Sequence, residues 1–412
     1  MASLLLFENG RLLDGTRDHA TDGHLLVEGE RIREVSDRPI ATAAAVRLDL
    51  RGRTLMPGLI DCHVHVVASL VDLGRNALLP DALVAHRAAR IMEGMLRRGF
   101  TTVRDVGGAT EGLRLALDEG LFEGPRLVIC GKALSQTGGH CDFRGRHDAR
   151  DGTFYANRLG SIGRLVDGVD AVRRACREEI KAGADFIKVM ANGGVASPTD
   201  PIDFLGFSRA ELEAAVEEAA MARTYVAAHL YTDEAIRRAV ACGVRSLEHC
   251  NLITPETARL AGERGAFAVP TLITYEALAR DGARLGLPPE SVAKIDAVRR
   301  AGLASLQVMH EAGLTMAFGT DLLGPLHDRQ GEEFLLRRDV LPAIEVIRSA
   351  TVHAARLLRR EGEIGCLAPG AYADLIVVDG DPLADLALLA HGERHISLVV
   401  KGGRIIRNNL NG

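Results

Sequence analysis

His63 and His65 stand one residue apart at the end of an apolar run, Gly58-Leu59-Ile60-Asp61-Cys62-His63-Val64-His65. Residues two apart on a strand face the same way, so both imidazoles are expected on one side. Further along, Lys188 lies in Phe186-Ile187-Lys188-Val189, His229 follows Ala228, His249 follows Glu248, and Asp321 follows Gly319-Thr320. Each of these residues sits in or just after a β-rich run. Four imidazoles and a carboxylate are good donors for a borderline divalent ion such as zinc. One His-x-His alone carries little, and a single Lys or Asp at a strand end is ordinarily ion-paired or a helix cap. Six such residues at the ends of five runs point together to a metal site. Lys188 joins the set only if its neutral amine adds carbon dioxide to form a carbamate. A buried position favours the neutral amine, and a carbamate offers two oxygens that can bridge ions about 3.5–4 Å apart.

Eight apolar runs read as strands: 58–66, 101–105, 126–130, 185–190, 225–230, 246–249, 266–271 and 315–320. Helical stretches at 82–97, 168–182, 209–223, 232–242 and 292–311 alternate with them. This is the pattern of βα units around a parallel sheet, and eight units suggest an α/β fold of the (β/α)8 TIM-barrel type. An open doubly wound sheet would carry a glycine-rich phosphate loop after its first strand, and none is present. Active residues of such barrels come from the C-terminal ends of the strands. The two ends of the chain differ from the middle. Short β-rich runs at 4–7, 25–28, 32–35 and 46–50, and at 374–378, 398–400 and 404–406, are not interrupted by a long helix. Residues 1–57 and 365–412 are therefore expected to pair into one small β domain beside a barrel of 58–364.

Composition narrows the function classes. Lys plus Arg number 50 against 55 Asp plus Glu, a net charge of −5 that gives no global attraction for nucleic acid or an acidic membrane. Trp is absent and aromatics are 4%, which argues against stacking platforms for bases. No apolar run approaches about 18 residues, so no membrane span is expected. The first residues lack a cationic stretch, and a cytoplasmic protein is expected. The seven Cys include no Cys-x-x-Cys pair, against both a disulfide framework and a zinc knuckle. No Gly-x-Ser-x-Gly elbow supports a serine hydrolase.

The motifs together resemble those of the amidohydrolase superfamily of metal-dependent hydrolases. The resemblance rests on Met56-Pro57-Gly58-Leu59-Ile60-Asp61-Cys62-His63-Val64-His65, Asp185-Phe186-Ile187-Lys188, Ala228-His229, Ser246-Leu247-Glu248-His249 and Gly319-Thr320-Asp321. Ile364-Gly365 and Pro369-Gly370-Ala371-Tyr372-Ala373-Asp374-Leu375 match as well. Within the superfamily the chain is most similar to the imidazolonepropionase-related branch, with its Xaa-Pro dipeptidases and ochratoxin-degrading amidohydrolases. The resemblance implies a barrel plus a β-sandwich built from both termini. It implies two divalent ions, usually zinc: His63, His65 and Asp321 on one, His229 and His249 on the other, with carboxylated Lys188 bridging. Hydroxide shared by the ions would attack an amide carbonyl, and Asp321 would pass its proton to the leaving nitrogen. His140, in Thr137-Gly138-Gly139-His140, and Tyr231 are the expected donors to the oxyanion or to a substrate carboxylate. The expected substrates are small: N-acyl amino acids or Xaa-Pro-type dipeptides with a free carboxylate, ochratoxin-like amides included. Cyclic amides, lactones or phosphotriesters are the alternative, and a non-catalytic binding protein is disfavoured by the complete ligand set. Family members often form homo-oligomers, and one is expected here.

The surroundings carry further expectations. The long segment 133–160 holds Arg144, Arg146, His147 and Arg150, cations suited to a substrate carboxylate. Asp200 and Asp203 read as surface charges, and Asp105 as a supporting or capping carboxylate. Cys62 and Cys250 should turn away from the site into the core by strand alternation, as packing residues.

Overall fold

The computed structural model describes residues 4–410. The N-terminal strands are β1 (Leu4–Leu12), β2 (Thr21–Glu28), β3 (Arg31–Ser36), β4 (Val46–Asp49) and β5 (Thr54–Pro57). The central strands follow: β6 (Leu59–Val64), β7 (Phe100–Asp105), β8 (Arg126–Ile129), β9 (Ala133–Ser135), β10 (Gly163–Leu165), β11 (Ile187–Met190), β12 (Val226–Thr232), β13 (Ser246–Leu252) and β14 (Phe267–Val269). The chain closes with β15 (Leu375–Val378), β16 (Ile396–Lys401) and β17 (Arg404–Asn408).

Strands from both ends form one sheet in the order β17-β16-β15-β5-β1-β2-β3, with β4 on β1. The join is the antiparallel pair β5–β15, Leu375 opposite Pro57 and Val377 opposite Leu55. Side chains alternate across this sheet, as a period of two requires. Leu55, Leu375, Val377, Leu398 and Val400 meet Leu5, Phe7, Leu25 and Val27 in a cluster drawn only from these strands and their loops. Their neighbours Met56, Ile376, Val378 and Val399 face the other way, into the main core. The sheet thus wraps its own small core and offers its second face to the rest of the molecule.

The central strands pair in parallel as β6-β7-β8 and as β10-β9-β11-β12-β13-β14. The expected third strand bends after Ile129. Gly131 takes φ +68°, where a Cβ would lie 2.1 Å from Glu179 Oε2, so only glycine fits there. The part before the bend pairs with β7 and the part after it, β9, with β11. Asp185 N donates to Ile129 O at 2.7 Å, linking the two groups of strands. The expected eighth strand, 315–320, is not a regular strand; it makes one isolated bridge, Met316 to Ala268. On one side Ala268 N donates to Thr315 O and Ala317 N to Ala268 O. On the other, Cys62 N donates to Phe318 O and Asp321 N to His63 O. Phe318 N turns instead to Ser349 O, which interrupts the ladder after a single rung. Helices such as Asp81–Arg97, Val169–Lys181, Arg209–Met221 and Pro289–Glu311 lie between the strands. The first buries Val84, Ala88, Met92 and Met95, one stripe at helical spacing. No helix of the described residues is long and apolar enough to cross a membrane.

Side chains of seven central segments meet in one cluster: Ile60 and Cys62, Val106, Val128 and Cys130, Phe186, Ala227, Phe267 and Val269, and Ala317. Cys62 belongs to this inner cluster, contrary to the outward placement expected from alternation. The register of β6 against β7 slips between Asp61 and Val64, so the residues on either side of the slip no longer alternate simply. Cys250 packs in the main core with the helices, as alternation requires.

Gly58 joins the two parts. Its N donates to Asp374 O at 2.8 Å, and a Cβ there would come within 2.1 Å of Thr101 Oγ1. Gly58→Ala is expected to lower stability by about 1–3 kcal/mol, read as an earlier urea midpoint at unchanged slope; an unmoved midpoint would contradict this packing.

Candidate metal centre

All eight residues singled out by the sequence line one cavity at the ends of the parallel strands: His63, His65, His140, Lys188, His229, Tyr231, His249 and Asp321. The cavity holds about 40 Å³, room for little more than a water or two. One donor atom each from His63, His249 and Asp321 lie within 4.8 Å of one another. His63 Nε2 and His65 Nε2 both stand 3.4 Å from Asp321 Oδ1. The His63–His249–Asp321 trio thus spans both ligand sets that the resemblance implies. It forms because His249 and Cys250 take left-handed backbone, φ +71° and +58°, partway along β13. Alternation fails there, and Glu248 and His249 both reach the inner face. Asp321 is left-handed too, at φ +52°. Non-glycine residues held in this region are characteristic of functional sites.

The outer nitrogen of each histidine is already engaged. His63 Nδ1 is 2.7 Å from Glu248 Oε2, His65 Nδ1 is 2.8 Å from Gly107 O, and His249 Nδ1 is 2.7 Å from Thr271 Oγ1. These partners leave the three Nε2 atoms to the cavity. His229 is reversed, with Nε2 3.1 Å from Gly193 O, which leaves Nδ1. Such partners orient metal-binding imidazoles and fix their tautomer. Burial, helped by the neighbouring cationic groups, holds His229 and His249 well below the usual imidazole range, so both keep a lone pair at neutral pH. Burial likewise depresses the Lys188 ammonium, and no carboxylate of the described residues pairs with it. Burial alone would raise the Asp321 carboxyl, but the imidazoles of His63, His65 and His249 hold it well below the carboxylate range. A cluster of free lone pairs around an anionic oxygen fits a divalent cation.

Several contributors escaped the sequence reading because their partners are distant along the chain. Arg104 is fully buried; its Nε donates to Cys62 O at 2.6 Å, and its Nη2 to Glu248 Oε1 at 2.8 Å and Oε2 at 3.0 Å. Glu248 is thereby clamped between Arg104 and His63. Asp200 corrects its expected surface role, for it is 1% exposed. Its Oδ2 accepts from Gly194 N at 2.7 Å and lies 3.4 Å from His140 Nδ1, which is also 2.6 Å from Ser197 Oγ. The His140 ring stacks on His229 with centroids 4.2 Å apart. Tyr275 Oη donates to Tyr231 Oη at 3.0 Å, so the Tyr231 proton is free to turn to the cavity. Asp105 accepts from the backbone N–H of Val66, Gly107 and Ala109, capping the ends of two strands. The cations of 133–160 do not reach the cavity. Arg144 pairs with Asp142 and Arg150 with Asp148, and neither they nor Arg146 and His147 line it. Burial pushes the Cys62 thiol up to about 12, which leaves it inert beneath the site.

The chain belongs to the amidohydrolase family, whose model matches residues 54–406. It is 32% identical to ochratoxinase of Aspergillus niger over 98% of this chain and 87% of that one. A solved prolidase in complex with N-methylphosphonate-L-proline is 49% identical and superposes with a TM-score of 0.97, covering 98% of this chain and 100% of that one. A solved Xaa-Pro dipeptidase with methionine in its active site is 29% identical, with a TM-score of 0.87 over 98% and 100% of the two chains. The chain is accordingly a hydrolase acting on amide or peptide bonds.

Glu248 is the partner whose loss tests how the site is held. Glu248→Gln would leave Arg104 buried without its counter-charge and His63 without its anionic acceptor. The variant is expected to lose about 3–5 kcal/mol of stability and about 10- to 100-fold in metal affinity, measured by denaturation and by competition with a chelating dye. Burial would raise the Glu248 carboxyl, but Arg104, Lys188 and His63 hold it below its ordinary value. Its stabilising contribution is therefore complete above about pH 4.5 and is lost progressively as the pH falls from there through the lowered folded value. A variant as stable and as tightly metallated as the parent would contradict the clamp.

Proposed function

We propose that the chain is a binuclear metal-dependent hydrolase of N-acyl amino acids and Xaa-Pro-type dipeptides. The observation that carries this reading is the single cavity that His63, His65, His229, His249, Lys188 and Asp321 line together. His63, His65 and Asp321 would hold one ion and His229 and His249 the other. Lys188, whose charged form is disfavoured by burial, would take up carbon dioxide through its neutral amine and join the site as a carbamate. Two zinc ions bound there would polarise the scissile carbonyl and supply a nucleophile at neutral pH.

The remaining chemistry falls to the chain's own side chains. His63 and His65 approach Asp321 at Oδ1, so Oδ2 is the atom that takes up the proton of the attacking water and delivers it to the leaving nitrogen. Ser197 Oγ and Asp200 Oδ2 meet His140 at Nδ1 and orient the ring, so that Nε2 faces the substrate as the donor to the developing oxyanion. Tyr231, backed by Tyr275, donates its hydroxyl to the oxyanion or the substrate carboxylate. The leaving amino acid fits the relatives. In N-methylphosphonate-L-proline a tetrahedral phosphorus on the proline nitrogen stands where an amide carbon would be, and a prolidase 49% identical to this chain binds it. The same reading takes the central strands, with 315–321 as eighth member, as a closed barrel over 58–364. The described parts of 1–57 and 365–412 form its companion β-sandwich domain. The hydrogen bonds of 315–321 to both β14 and β6 support that closure.

Zinc-loaded protein is expected to release the C-terminal amino acid from Xaa-Pro dipeptides and N-acyl amino acids. Dialysis against a chelator should abolish release and zinc should restore it. Converting the substrate carboxylate to its amide should lower kcat/KM by about tenfold or more. Undiminished cleavage by metal-free protein, or of the blocked substrates, would overturn the reading.

A further inference from the structure

Lys294, on the helix Pro289–Glu311, lies far from the metal ligands in sequence. Its Nζ donates to Gly194 O at 2.9 Å, Ser197 O at 2.8 Å and Asp200 O at 2.7 Å. An ammonium has three protons, and all three go to one short segment. That segment, 193–200, forms a wall of the cavity through Val195 and Ala196. It is anchored at its start by Asn192, whose Oδ1 accepts from Tyr231 N and Thr232 N and whose Nδ2 donates to Ile202 O and Phe204 O. The segment reaches His140 by three routes. Ser197 Oγ and Asp200 Oδ2 meet its Nδ1, and a Cβ on Gly194 would lie 2.0 Å from the same atom. Asp200 Oδ1 is buried without a hydrogen-bond partner, 3.6 Å from Lys294 Nζ. Its charge is therefore shared between the lysine on one side and the imidazole on the other.

We propose that Lys294 and Asp200 are positioning residues, which lock the wall 193–200 against His140 so that ring and wall seat the substrate as one unit. The proposal rests on the reading of His140 as a group that acts on substrate at the metal site. A cavity of about 40 Å³ cannot accept a dipeptide, since small-molecule sites ordinarily run to about 300–1,000 Å³. Substrate entry therefore requires part of the lining to shift, and in this proposal the wall 193–200 gives way and re-forms around the bound substrate. Re-forming returns the three carbonyls to Lys294, and Ser197 Oγ and Asp200 Oδ2 to His140 Nδ1. No bond other than these hydrogen bonds is made or broken. A histidine displaced by about 1 Å loses much of its rate advantage, so the lock acts on turnover more than on binding.

The test uses zinc-loaded holoenzyme, with Lys294→Met and Asp200→Asn compared against Lys294→Arg. Amide hydrogen exchange over 192–206 reports the wall without reference to activity. Exchange there is expected to speed up in Lys294→Met and to return toward the parent rate in Lys294→Arg. Per metal-loaded chain, kcat should fall about 10- to 100-fold in Lys294→Met and Asp200→Asn, with KM within about threefold. Parent exchange rates in Lys294→Met would overturn the lock, whatever the kinetics. So would a loss of turnover that follows lost metal or lost folded protein. If the parent enzyme cleaves none of the amides, the proposed substrate class fails, while the exchange data still decide whether Lys294 holds the wall.

Discussion

Arg104 and Glu248 carry charges into a space closed to water, and neither can be held there alone. An isolated buried ion costs several kcal/mol, so the pair persists only because every polar atom around it is used. Ser246 Oγ and both Arg104 Nη2 contacts satisfy one side of the Glu248 carboxylate, and His63 the other. Arg104 Nε meanwhile takes the carbonyl of Cys62, next to the first histidine. Strands β6, β7 and β13 are thereby fixed to one another by a charge network at the base of the candidate metal centre. The aim of His63, and with it the spacing to Asp321 and His249, follows from that network.

Above the base, function sits where regular structure ends. The strands supply rigid mounts, and the last residues depart from strand geometry to bring more donors inward than alternation allows. His249 and Asp321 both do so through left-handed backbone. These conformations are held by what surrounds them: Asp321 N bonds to His63 O and His249 Nδ1 to Thr271. Asp61 ties the same region together, accepting from His63 N, Thr320 Oγ1 and Gln330 Nε2. The terminal sheet takes no part in the chemistry. Its outward face, Met56, Ile376, Val378 and Val399, packs into the main core with the strands that carry the candidate ligands.

The alternation of strands and helices was legible because buried parallel strands are apolar runs and their helices have a different period. Of the eight candidates that line the cavity, six were legible because they lie in or just after such runs, whereas His140 and Tyr231 were named from the resemblance. What could not be read were side chains defined only by distant partners. Glu248 looks like the neighbour of a ligand, and only the backbone turn at His249 brings it inward. Asp200 sits among loop residues, and its burial depends on a lysine 94 positions away. The cations of 133–160 misled for the same reason, since Asp142 and Asp148 neutralise two of them within the loop itself. The irregular eighth segment and the slip in β6 were equally hidden, because a register break leaves no mark in hydrophobic pattern. That slip is why Cys62 faces inward.

The account turns on Lys188 becoming a ligand in a two-ion centre. Metal content per chain, measured by elemental mass spectrometry on zinc-equilibrated protein and on a Lys188→Ala variant of matched fold, tests it most directly. Two ions per chain in the parent and at most one in the variant is the predicted result. One ion in the parent, or the same stoichiometry in both, would contradict it.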